Sequence, residues 1–162
     1  MTVLGIDPGT TRAGYGIVSG TRAAPVLVAS GVIGNAALGR SARLVEIHKR
    51  LKSIIESAGP DVVAVEKLFF SKNVKTALAV AEARGIILLT AAMADLRVYE
   101  YTPQEVKMAL TGNGAASKAQ VAAMAKTLLG IRTSPRWDDE TDAIAIALTA
   151  LVSAGAGDIK DY

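Results

Sequence analysis

Val62-Val63-Ala64-Val65-Glu66 is the stretch on which the fold turns. Four apolar residues run without a polar one between them, and an acid closes the run. A strand wet on one face alternates, whereas a strand covered on both faces reads as continuous Val and Ala. Residues 62–65 are therefore expected to be an inner, parallel strand. The residues before it fit that reading. From Ser41, Leu44, Ile47, Leu51, Ile54 and Ile55 recur at helical spacing among charged residues, and Gly59-Pro60 ends the pattern.

Upstream of that helix lie three extended segments, residues 3–6, 13–18 and 24–33, with Ser19-Gly20-Thr21 expected to separate the last two. Their short connections predict an antiparallel meander. A right-handed crossover from the third strand through the helix then sets residues 62–65 beside the first strand and parallel to it. Downstream, the pattern predicts an Ala-rich helix over 74–93, a strand over 98–101, and helices over 103–110, 117–129 and 139–152. The expected architecture is an α/β fold with a mixed five-stranded sheet flanked by helices, a single domain across 1–162.

This topology carries two acids to one place. Asp7 ends the first strand and Glu66 ends the fourth, so parallel neighbours bring them to the same sheet edge, where open α/β sheets take their ligands. Asp138, Asp139, Glu140 and Asp142 cluster at the start of the last helix. Acids there also serve as caps and dipole partners, and an aspartate before Pro-Gly also serves a turn. Residues three or four apart share a helix face, so either Asp138 or Asp139 can point the same way as Asp142. Carboxylates gathered together repel, and a divalent cation relieves that repulsion. Two ions about 4 Å apart would activate a water and stabilise the leaving oxygen of a phosphodiester.

Composition narrows the metal. The chain of 162 residues has no cysteine and one histidine, His48, so thiolate sites and disulfides are excluded and an all-oxygen site for Mg²⁺ or Mn²⁺ remains. His48 sits among charged residues and is given no role. A net charge of +3 with acids concentrated in one site implies a basic surface elsewhere, suited to phosphates. The first residues lack a signal-peptide pattern, and the longest apolar run, 143–154, is too short to cross a bilayer. A cytoplasmic protein with no membrane association is expected.

Several motifs together resemble one family. Gly5-Ile6-Asp7-Pro8-Gly9, Val65-Glu66 with Phe69 and Lys72-Asn73, and Thr102-Pro103-Gln104-Glu105-Val106-Lys107 look like the RuvC family of Holliday-junction resolvases. So do Thr111-Gly112-Asn113-Gly114 with Lys118, and the closing Asp139-x-x-Asp142-Ala143-x-Ala145-x-Ala147. The resemblance spans nearly the whole chain. It implies an RNase H-like nuclease fold and a Mg-dependent endodeoxyribonuclease that resolves four-way junctions by paired symmetric nicks in recombination and repair. It also implies two metal ions per active site, a homodimer, and a branch-migration helicase complex as partner.

Carried over by motif, Asp7, Glu66, Asp139 and Asp142 are the metal-binding catalytic acids, with Asp138 open as an alternative to Asp139. Lys107 and Lys118 resemble a phosphate-contacting catalytic pair. Phe69 would stack on an unpaired base, with Arg12, Lys67, Lys72 and Lys75 on nearby phosphates. Ser117 is read as a helix cap and Trp137 as packing. Ala77, Ala81 and Gly85 form a small-residue face suited to close approach by the sheet or a partner helix. Two alternatives stand beside this. One is an RNase H-like nuclease for another nucleic acid. The other is a fragment of an actin-like ATPase, whose first phosphate loop Gly5-Ile6-Asp7-Pro8-Gly9-Thr10-Thr11 also resembles.

Overall fold

A computed structural model of the protein describes residues 1–9, 11–67, 74–132, 135 and 137–153. Its elements run β1 (Thr2–Asp7), β2 (Ala13–Thr21), β3 (Ala24–Ile33), α1 (Arg40–Ala58), β4 (Val62–Glu66) and α2 (Val74–Met93). Then follow β5 (Arg97–Tyr101), α3 (Pro103–Thr111), α4 (Lys118–Leu129) and α5 (Asp138–Ser153). The strands form one sheet in the order β3-β2-β1-β4-β5. The meander β1-β2-β3 is antiparallel, and β1, β4 and β5 are parallel. The mixed five-stranded sheet predicted from residues 62–65 is the sheet observed.

One boundary differs. Ser19-Gly20-Thr21 belongs to β2, and the reversal falls at Arg22-Ala23, because Thr21 pairs with Ala24 and Gly20 with Pro25. Local turn propensity at Ser-Gly-Thr yields here to the ladder, which gains backbone hydrogen bonds by running on. Gly20 takes φ +115° within the strand, and the register shifts between Ile17 and Val18.

Alternating side chains feed two cores. Leu4, Ile6, Val63 and Val65 meet Ile47, Leu51 and Ile55 of α1 and Ala83, Ile87 and Ala91 of α2. Val3, Val18, Val62 and Ala64 point to the other face, against α3, α4 and α5. Helix α5 lies across β1 and β2, almost wholly buried from Ala143 to Leu151. Its approach is close because β1 and β2 carry glycines beneath it. A Cβ on Gly5 would collide with the Ala143 carbonyl, and one on Gly14 with the Asp139 carbonyl. A strand glycine often marks such a contact between backbones.

The helix α2 divides its surface differently. Ala83, Ile87 and Ala91 face the sheet, while Ala81 and Gly85 are exposed beside Leu78 and Leu89, themselves 58% and 54% exposed. Its small-residue face thus looks away from the sheet. His48 Nδ1 lies 2.9 Å from Thr90 Oγ1 and ties α1 to α2.

Candidate active site

The register Val3↔Val62 through Ile6↔Val65 ends β1 and β4 side by side, so Asp7 and Glu66 leave the sheet together. Their carboxyls lie close enough to share a hydrogen bond when one of them is protonated. Asp142, one turn into α5, and Asp139, in its first turn, come over the same edge. Burial pushes the Asp7 carboxyl up to about 7, reinforced by the charges of Glu66, Asp142 and Asp139 and opposed by Lys118. Glu66 is raised by burial and by Asp142. Asp142 is raised by burial, which Lys118 partly offsets.

Two cations answer these acids. Lys118 Nζ donates to Asp142 Oδ2 at 2.7 Å and lies 3.9 Å from Asp138 Oδ2. Burial lowers the Lys118 ammonium, but its hydrogen bond and attraction to Asp142 outweigh that and hold it above its ordinary value. Arg12 Nε donates to Asp139 Oδ2 at 2.5 Å, with its guanidinium 4.2 Å above the Trp137 ring. With Asp139 turned to Arg12 and Asp142 to Lys118, no three of the acids among the described residues converge on one point as their side chains stand.

The lysines arrive through two capped helices. Thr102 and Glu105 form a capping box at the start of α3, with Pro103 in its first turn. Ser117, read from sequence as a cap, forms the equivalent box with Gln120 at the start of α4. Lys107 and Lys118 then line one cleft with Glu66 and Asp142, over an apolar floor that includes Val106, Val121 and Ile146.

The duplicated aspartate separates clearly. Asp138 is 89% exposed, whereas Asp139 is 30% exposed and acts on Asp7 electrostatically. Lys67 is exposed on its side chain and donates its backbone N–H to the Tyr101 carbonyl. Phe69, Lys72 and the side chain of Lys75 lie outside the described residues. Sequence reasoning missed Gly5 and Gly14 as the seats of α5, although glycines inside apolar strands were a visible signal. It also missed the pairing of Arg12 with Asp139, whose 127-residue separation leaves no local trace.

A central parallel pair ending in carboxylates, an antiparallel meander on one side and a helix bringing further acids across the edge define an RNase H-like fold with a nuclease-type site. The chain matches the family model described as "Crossover junction endodeoxyribonuclease RuvC" over residues 3–150, and it belongs to that family. A crossover junction endodeoxyribonuclease RuvC from Caldicellulosiruptor saccharolyticus is 44% identical over 158 residues, covering 96% of this chain and 95% of that protein. The structure of Thermus thermophilus RuvC is similar with TM-score 0.92 and 37% identity, covering all of both chains. T. thermophilus RuvC in complex with a Holliday junction substrate gives TM-score 0.95 and 36% identity over 100% of this chain and 99% of that one. Family membership decides against the ATPase-fragment alternative.

Proposed function

We propose that residues 1–162 form one nuclease domain that resolves four-way DNA junctions by paired symmetric nicks, using Asp7, Glu66, Asp139 and Asp142 as ligands for two Mg²⁺ or Mn²⁺ ions. The observation that carries the reading is the gathering of these acids at the β1–β4 edge, where burial and then their mutual repulsion raise the Asp7 carboxyl to about 7. Their donor set fits the ion. Oxygen ligands in a negative, half-buried hollow suit a hard divalent cation, and Asp139 and Asp142, now paired with Arg12 and Lys118, would turn from those partners to hold it. Bound there, divalent ions supply Lewis acidity toward a water and the leaving oxygen.

The rest of the work falls to the chain. Asp7 and Glu66 sit on strands and hold their oxygens in fixed positions. Lys107 and Lys118, which line the cleft with Glu66 and Asp142, meet the phosphate and steady its charge. Asp139 is favoured over Asp138 because it alone of the two faces Asp7. Phe69 and Lys72 belong to the junction-binding set on the family motif.

A homodimer supplies the second active site that two symmetric nicks demand. The exposed Leu78 and Leu89 on the outer face of α2 support it, since a contiguous exposed apolar face marks a surface that a partner covers. A branch-migration helicase complex is the further partner, and the cytoplasm the location. Among the described residues no helix is long and apolar enough to cross a membrane.

Synthetic four-way junctions, linear duplex and RNA–DNA hybrid, each incubated with Mg²⁺, test the assignment. Paired nicks in the junction alone are expected, with affinity falling steeply as salt rises. Equal cutting of linear duplex would instead mark a general nuclease, and preference for the hybrid a different RNase H-like substrate class.

A further inference from the structure

Arg12 stands five residues after Asp7 yet pairs with Asp139 at the far end of the chain. Three observations bear on that contact. The backbone beneath Arg12 is held: Gly34, at φ +112°, leaves room for it, and a Cβ there would come within 2.9 Å of the Arg12 Cα. The backbone that carries the ring above it is also held, because the Trp137 carbonyl accepts hydrogen bonds from both the backbone N–H and the hydroxyl of Thr141 in α5. Between these fixed parts, the Arg12 side chain remains 37% exposed and reaches Asp139 through Nε.

We infer that Arg12 is a positioning residue that holds Asp139 in place of the metal and surrenders it when a divalent cation enters, leaving the Trp137 ring as it does so. The inference rests on the reading of Asp139 as a metal ligand. Its physical basis is competition. Arg12 Nε occupies Asp139 Oδ2, so a cation that draws on that oxygen competes with the guanidinium for it. Nor would the ring retain Arg12 afterwards. At an exposed site the cation–ring attraction is weaker than the rotamer entropy that a long side chain recovers on release. The two cations of the site therefore differ. Lys118 lines the cleft beside Asp142, whereas Arg12 is built against the indole of Trp137, just before the helix that carries Asp139.

The indole makes the exchange visible, because Trp137 is the only tryptophan in the chain. Mg²⁺ is titrated into the full chain while its emission is recorded, and occupancy is read separately from the rise in unfolding midpoint by circular dichroism. Emission should change along the same curve as the midpoint. In Arg12→Gln the midpoint should respond at about two- to fivefold lower Mg²⁺, the range of one exposed ion pair, with the emission change lost. Arg12→Lys keeps the charge but not the planar group on the ring, so its midpoint curve should stay near wild type while the emission change shrinks. Midpoints that rise with Mg²⁺ under constant emission would overturn the exchange and leave the metal site standing. So would an Arg12→Gln curve that is unmoved or shifted to higher Mg²⁺. A wild-type midpoint indifferent to Mg²⁺ would overturn the metal site and the exchange together.

Discussion

Asp7 is the residue on which the site's electrostatics converge. Its carboxyl titrates at about 7 when folded and at an ordinary value of 3.8 when free of the fold. The folded state thus keeps a proton that the unfolded chain loses, so the contribution of Asp7 to metal-free stability is greatest at low pH and declines as pH rises from about 4 to about 7. Above that range the penalty is complete and constant. Asp7→Asn removes it. In chelator at pH 8 the variant should melt at a higher temperature than wild type, and the difference should vanish near pH 4. Mg²⁺ should raise the wild-type midpoint more than the variant's. Junction cutting should fall by at least about a hundredfold in Asp7→Asn while junction binding survives, since shape is kept and only a ligand charge is lost. Gel assays of cleavage and of mobility shift measure the two separately, and cutting within about tenfold of wild type would count against Asp7 as a ligand.

At the level of the element, α5 delivers half of the acids, and its placement depends on what it rests upon. The Asp139 carbonyl occupies the space where a Gly14 side chain would begin. Gly14→Ala should push the first turn of α5 off β2, destabilising the fold by about 1–3 kcal/mol as overpacking does. The displacement of Asp139 and Asp142 should cost about a hundredfold in turnover, the penalty of misplacing reacting groups by about an ångström. Denaturant unfolding and single-turnover cleavage read these effects, and an unchanged turnover would show that α5 is not seated through Gly14. The same helix sets the register of the paired aspartates. Asp139→Asn should impair cleavage strongly and Asp138→Asn only slightly, given that Asp138 is 89% exposed. The reverse order would place the ligand one residue earlier.

Among the described residues Asp7, Glu66, Asp139 and Asp142 gather at one sheet edge, and a four-way junction has two equivalent strands. The face of α2 that carries Leu78, Ala81, Gly85 and Leu89 points away from the sheet, with open space around Gly85. Ala81→Glu should bury a charge against its own copy at a two-fold contact and weaken self-association by about tenfold or more. Analytical ultracentrifugation should show monomer where wild type is dimeric, and cleavage should leave singly nicked junctions. A wild type that stays monomeric on junction DNA and still makes both nicks would exclude this arrangement.

Much of this was legible before any coordinates. The unbroken run at residues 62–65 determined an inner parallel strand, and crossover handedness then set Asp7 beside Glu66, because both depend on local periodicity and chain connectivity. Ser117 was readable as a cap since its partner lies three residues on. The choice between Asp138 and Asp139 was not, because a helix permits both and its rotation is fixed by packing against Gly5, Gly14 and Gly16. Nor could sequence say whether the Ala77–Ala81–Gly85 face met the sheet or looked outward, since apolar residues lie on more than one side of α2 and its orientation follows from Ala83, Ile87 and Ala91 filling the core. The Arg12–Asp139 pair and the close seat of α5 belong to the same class. They are contacts between segments more than a hundred residues apart, created by the closing of the sheet, and no local pattern of residues encodes them.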